Sequence, residues 1–256
     1  MNKSTFAKQG SSLQIRYEQE HNWRARIGFV LMANDQLIEV EMFRLAPPGV
    51  GVHFVRVSGS DDVTVDDLLG MEKHLADAAA CLIPDSGLDV ICFGCTSGSA
   101  LIGEDRVKAE LSRGAPKARP TTLITGVIEA LRTLEAQRIV VGTPYLDDVN
   151  ALEERYLKDQ GFEVLDMQGM NLTNCTDMRR VAPEFILEYG LSLDRPDAQA
   201  IFISCGGIRS LEIVDALERK VGKPVIVSNQ AMFWNTLRLA GINDKIEGYG
   251  QILTMH

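Results

Sequence analysis

The chain carries a weak internal repeat, and that repeat constrains its fold more than any other feature. Arg26-Ile27-Gly28-Phe29 matches Arg138-Ile139-Val140-Val141 at an offset of 112, and segment 53–57 matches 163–167 at an offset of 110. The run ending Phe93-Gly94-Cys95 then matches Ile203-Ser204-Cys205, again at 110. Three matches in nearly one register read as a duplicated βα unit, with the two copies related by a pseudo-twofold axis.

Around these anchors, apolar β-branched runs alternate with longer segments of helical period, the signature of parallel α/β sheets. The pattern predicts strands over 26–32, 52–57, 88–95, 122–125, 138–143, 162–166, 200–205 and 225–228. It predicts helices over 65–82, 127–136, 147–160, 177–192, 210–221 and 231–240, with a Pro-, Gly- and Arg-rich connector over 112–120. The expected architecture is α/β, with two pseudo-symmetric Rossmann-like lobes built on parallel sheets. The N-terminal lobe takes 1–119 plus about 229–256, and the second lobe takes about 120–228.

Lys+Arg 26 against Asp+Glu 35 leaves a net charge of −9 with no basic run, which argues against a nucleic-acid partner because such a surface repels phosphate. With 45% hydrophobic and 24% charged residues the chain can build a sizeable core, so disorder is excluded. The apolar runs 27–33 and 90–95 are far shorter than the roughly 20 residues a bilayer helix needs. Residues 1–22 lack the continuous apolar stretch of a signal peptide, so a cytoplasmic location and no membrane partner are expected. Cys81, Cys92, Cys95, Cys175 and Cys205 are odd in number and are expected as thiols.

Two of these thiols stand apart. Cys95 lies in Gly94-Cys95-Thr96-Ser97-Gly98-Ser99 and Cys205 in Ser204-Cys205-Gly206-Gly207, each closing a predicted strand ahead of a predicted helix. Ligands of open α/β sheets bind outside the carboxyl ends of the strands, so both thiols are expected to face the cleft between the lobes. A helix start would draw such a thiol's pKa from about 8.5 toward neutrality, making an opposed acid/base pair. Cys81 on a helix and Cys175 in a loop are expected as small buried hydrophobes, and Cys92, an odd number of strand positions before Cys95, is expected to pack on the opposite face. Cys92 and Cys95 match C-x-x-C, but there is no second pair and the four histidines lack ligand spacing, so no metal is expected. No phosphate loop or dinucleotide fingerprint is present, and no cofactor is expected. Gly94 to Gly98 places its serine one position late for a nucleophile elbow, which disfavours a serine hydrolase. Tyr145, after Gly142-Thr143-Pro144, and Asn34, after the first strand, are candidates to line the cleft.

The turn at Cys95-Thr96-Ser97, the run 143–150, Ser204-Cys205-Gly206-Gly207, Phe233-Trp234-Asn235 and Gly248-Tyr249-Gly250 resemble the aspartate/glutamate racemase superfamily. Within it they resemble the branch of arylmalonate decarboxylase, maleate cis-trans isomerase and the ectoine-utilisation protein EutA, and segments 44–54 and 120–128 look most like the last of these. The resemblance implies a cofactor-independent enzyme acting on a small carboxylic or amino acid between two lobes, and a homo-oligomer is a further expectation. It implies that Cys205 supplies a proton to an enolate-like intermediate and that Cys95 is its partner base or nucleophile. Thr96, Ser97, Tyr145 and the Gly206 backbone would hold charge, and Asn34 falls near a carboxylate-binding asparagine of the isomerases. Arylmalonate decarboxylase has glycine where this chain has Cys95, so the expectation is an isomerase or racemase. The alternatives are a decarboxylase and a non-catalytic small-acid sensor.

Overall fold

The computed structural model describes residues 14–84 and 87–256, so most of the segment 1–22 read above for a signal peptide lies outside the described residues. Strands β1 (Ala25–Met32), β2 (Val50–Val57), β3 (Val90–Phe93) and β4 (Arg119–Thr122) form one parallel sheet in the order β2-β1-β3-β4. Strands β5 (Arg138–Thr143), β6 (Glu163–Gly169), β7 (Ala200–Ile203) and β8 (Val225–Val227) form a second in the order β6-β5-β7-β8. The two sheets thus share one topology. All residues of β3 and β7 are buried, which is why both read as unbroken apolar runs rather than as alternating strands.

The helices that end the two repeats bind the lobes together. Helix Ser228–Leu239 follows β8 but packs on β3 and on helix Ile38–Leu45, and its Phe233 stacks on Phe29 of β1 with ring centroids 6.5 Å apart. It also runs against helix Leu123–Thr133, which follows β4. That approach is close: a Cβ placed on Gly126 would lie 2.8 Å from the carbonyl oxygen of Ala231.

Several boundaries differ from the sequence reading. The strand expected over 122–125 is β4, three residues earlier, because Thr122 Oγ1 accepts the Thr125 N–H at 3.1 Å and starts a helix instead. β4 is an edge strand, which tolerates Pro120. Helix Glu104–Gly114 and β4 absorb most of the expected connector, and the expected lobe boundary at 119/120 falls inside β4. The single helix over 65–82 is instead Val65–Gly70, a 3-10 turn Glu72–His74 and Leu75–Ala80. The helix over 177–192 breaks into Cys175–Arg180 and Pro183–Ser192, since proline has no N–H for an interior helical bond. Among the described residues no helix is long and apolar enough to cross a membrane.

Candidate active site

A cavity of about 50 Å³ opens between the carboxyl edges of the two sheets. Cys95, Thr96 and Ser97 line it from the first lobe, and Tyr145, Cys205 and Gly206 from the second. Asn34 lines it as well, so the structure brings all seven expected residues together. Cys92 stays in the buried interior of β3 and does not reach the cavity.

Local sequence explains each placement. Cys95 caps helix Thr96–Ile102, its sulfur accepting the Gly98 N–H at 3.3 Å with Ser97 Oγ 3.9 Å away. Cys205 accepts the Gly207 N–H at 3.2 Å and has a φ of +98°, a left-handed backbone that side chains disfavour. Tyr145 is fixed by its own turn: Thr143 Oγ1 accepts the Tyr145 N–H at 3.1 Å, and the Asn150 amide donates to the Tyr145 carbonyl at 3.4 Å.

The two cysteine turns are tied across the lobes by Ser228. Its hydroxyl accepts the Cys205 N–H at 3.0 Å and lies 3.0 Å from Thr96 Oγ1. Thr96 therefore spends its hydroxyl on fixing Cys205, and Ser97 keeps the hydroxyl nearer a sulfur. Asn34 is committed too: its amide donates to Asp61 Oδ1 at 2.9 Å and to the Ser60 carbonyl at 3.1 Å, and its Oδ1 is buried without a partner.

Burial pushes the Cys95 and Cys205 thiols up to about 12, outweighing the Gly98 and Ser97 donors at Cys95 and the Tyr145 hydroxyl and Gly207 N–H at Cys205. This corrects the expectation of thiols near neutrality. The helix after Cys95 has only 7 residues, and Cys205 is followed by a turn and the 3-10 segment Ser210–Glu212 rather than by an α-helix. Both sulfurs are protonated in the free site. Tyr145 is also driven well above its ordinary value by burial, with Cys205, Glu153 and Cys95 adding to the shift.

Sequence reasoning missed five residues at or behind this cavity. Cys175 opens a helix and lines the site instead of filling a loop, a start signalled by Asn174, whose Oδ1 accepts the Asp177 N–H at 2.8 Å. Cys81, expected to be buried, is exposed at the end of its helix. Arg179 brings a cation to the wall and donates to the Asn34 carbonyl at 3.3 Å. Asp35 accepts the Ile38 N–H at 3.0 Å, and burial pushes its carboxyl up to about 6. Behind the wall, Glu41 Oε2 accepts from the Asn229 amide at 2.6 Å, and the same amide reaches the Gly206 carbonyl at 2.9 Å. Burial pushes Glu41 up to about 8 and the fully buried Glu153 up to about 7.

Paired parallel α/β lobes, each ending a matching strand in a cysteine that faces a shared cavity, define a two-lobed protein built around a thiol pair. A family model described as arylmalonate decarboxylase matches residues 43–253, and the chain belongs to that family. It is 27% identical to an arylmalonate decarboxylase of Bordetella bronchiseptica, over 88% of this chain and 95% of that one. It is 26% identical to a maleate isomerase of Nocardia farcinica, over 89% and 95%. Its fold matches a mutant Nocardia farcinica maleate cis-trans isomerase with a covalently bound succinylcysteine intermediate, at a TM-score of 0.83, 24% identity and coverage of 91% and 99%.

Proposed function

We propose that the protein is an isomerase or racemase that works without a cofactor on a small acid, with Cys95 and Cys205 as opposed acid and base at a carbon next to a carboxylate. The observation that carries this reading is one sulfur from each repeat in a single cavity, each with a backbone N–H aimed at it. A decarboxylase needs one proton donor for the carbanion left by CO₂. Two thiols at matching places in opposite lobes give proton transfer two faces of the same carbon.

For a racemase, one sulfur as thiolate takes the proton from the carbon, and the electron pair spreads into the carboxylate as an enediolate. The other thiol returns a proton to the opposite face and becomes the thiolate, so the charge and protons balance. For an unsaturated diacid, the Cys95 thiolate adds to the double bond while the Cys205 thiol protonates the neighbouring carbon. Rotation about the resulting single bond and reversal of both steps releases the other geometric isomer. The succinylcysteine held by the Nocardia relative supports this route. Because both thiols rest protonated, one must ionise first, and the Gly98 and Gly207 N–H groups are placed to hold that thiolate. Ser97, Tyr145 and the Gly206 backbone are the groups we assign to the developing charge, with Thr96 fixing the turn; Asn34, whose two amide N–H groups are taken by Asp61 and Ser60, holds the cavity wall rather than the substrate carboxylate.

The test is a panel of maleate, aryl malonates and N-acyl amino acids, including an acetylated 2,4-diaminobutyrate as an ectoine-derived acid, followed in D₂O by NMR. The expected result is isomer formation or deuterium at the carbon next to the carboxylate, without CO₂. Release of CO₂ from an aryl malonate with undiminished rate in Cys95→Ser would replace this reading with a decarboxylase. Binding without exchange for every acid that binds would replace it with a sensor.

A further inference from the structure

Cys95 and Cys205 receive their N–H donors in different ways. Helix Thr96–Ile102 starts directly after Cys95, and the Ser99 N–H donates to the Cys95 carbonyl at 3.1 Å, so helical bonds fix the turn that aims the Gly98 N–H. Cys205 is followed by a turn and a 3-10 segment instead, and its donor is the nearer Gly207 N–H. That N–H belongs to the same planar peptide as the Gly206 carbonyl, so whatever holds the carbonyl aims the N–H. Asn229 holds it, its amide nitrogen donating to the Gly206 oxygen at 2.9 Å.

The same nitrogen also donates to Glu41 Oε2 at 2.6 Å, on helix Ile38–Leu45 of the first lobe. An amide presents donors on one side and an acceptor on the other. Turned over, Asn229 would set its oxygen against the Gly206 carbonyl, so an acceptor at Glu41 selects the orientation that serves the peptide. The fit is close, since a Cβ on Gly206 would lie 2.9 Å from Asn229 Oδ1. Stability alone does not explain the pair. Glu41 is 2% exposed, and among the described residues its Oε1 and Asn229 Oδ1 are buried without a hydrogen-bond partner. Two apolar side chains would join these helices without that cost.

The first lobe makes the contrast. At the offset of 105 that aligns helices Leu123–Thr133 and Ser228–Leu239, the match to Asn229 is Ile124, which has no side-chain donor. The tie is present where the helix after the cysteine is missing and absent where that helix is formed. The ionisable groups around Glu41 are Asp35, Arg44, Arg209 and Glu212, the last two paired with each other, and those around Cys205 are Tyr145, Cys95 and Cys175.

We propose that Asn229 and Glu41 are positioning residues that set the acidity of Cys205, Asn229 by holding the Gly206–Gly207 peptide with its N–H on the sulfur, and Glu41 by holding Asn229 with its nitrogen toward that peptide. A donor fixed on the sulfur favours the thiolate over the thiol. This rests on the reading above only in treating Cys205 as a reacting thiol.

The test is alkylation by iodoacetamide without substrate, followed for each cysteine peptide by mass spectrometry between about pH 7 and 9, where the rate follows the thiolate fraction. In Asn229→Leu, Cys205 is expected to react about 10-fold more slowly than in wild type, the equivalent of one pKa unit, while Cys95 stays within about twofold. A purely structural role predicts the opposite sign, because a loosened cavity admits the reagent faster to both sulfurs. Glu41→Leu should reproduce the slowing, and it carries the test if Asn229→Leu folds poorly. Glu41→Gln keeps an acceptor oxygen for Asn229 and should leave Cys205 within about twofold of wild type. Cys205 rates that are unchanged or raised in the leucine variants would overturn the proposal, as would an equal slowing of Cys95. Slowing in Glu41→Gln as large as in Glu41→Leu would overturn the part assigned to Glu41. Alkylation needs no turnover, so a negative result here leaves the proton-transfer reading intact, and a failed exchange assay leaves this inference intact.

Discussion

Cys95 and Cys205 end matching strands, but the backbone delivers them differently, with φ at −135° for Cys95 and +98° for Cys205. The first turn continues into hydroxyl residues and a short helix. The second continues into two glycines and a 3-10 segment. A left-handed cysteine costs about 1–3 kcal/mol and persists only where its surroundings over-determine it. Ser228 on the Cys205 N–H and Asn229 on the Gly206 carbonyl are those surroundings, and both come from the helix that crosses to the first lobe. The frame is common to both lobes, and within it one sulfur has a polar, hydroxyl-lined seat and the other a strained, rigid one.

The largest expected effect probes whether the lobes contribute equally. Cys95→Ser and Cys205→Ser should each lower turnover by about 1,000-fold or more while changing the affinity of a substrate analogue by less than about 10-fold, measured by steady-state kinetics and calorimetry. A loss confined to Cys205→Ser would mean that one lobe alone does the chemistry.

A smaller effect concerns the acids behind the turns. The Glu41 carboxyl sits at about 8 when folded against 4.5 ordinarily. The folded state therefore keeps a proton that the unfolded chain loses, and stability present below the ordinary value is lost as pH rises toward 8. Denaturant titrations should show Glu41→Gln flattening the wild-type fall between pH 5 and 8 by about 3 kcal/mol. An unchanged slope would remove Glu41 from the support of the Cys205 turn.

The smallest effect is expected at the link between the turns. Ser228→Ala leaves the buried Cys205 N–H and the Thr96 hydroxyl without their shared partner. It should cost about 1–2 kcal/mol of stability. It should also cut kcat about 10-fold with KM nearly unchanged, because the geometry of Cys205 is disturbed rather than the binding groups. A change in KM alone would place Ser228 in substrate binding instead.

How much of this was legible in the sequence follows from what burial does to patterns. The two-lobed frame was readable because β1, β3, β5 and β7 are apolar runs whose copies keep register, and the cysteines could be placed because they end those runs. The helix expected after Cys95 could be given no bounds, because TSGSALI is small, polar and largely buried, so no amphipathic stripe marks it. β4 was placed three residues late because Pro120 is a poor strand residue everywhere except an edge. Glu153 was not singled out beside Glu154. Its signal was present in the spacing: it falls between Val149 and Leu157 at helical intervals of four, where an apolar residue belongs. The thiol pKa values were unreadable, because they depend on how completely the cavity excludes water.

Helix Ser228–Leu239 leaves one sheet and roofs the other. A single repeat standing alone would thus leave the ring of Phe29 open to water and would need a second molecule to lend its terminal segment. Carrying both copies in one chain makes that partnership permanent and lets the halves differ at the two sulfurs, something no assembly of identical copies could do.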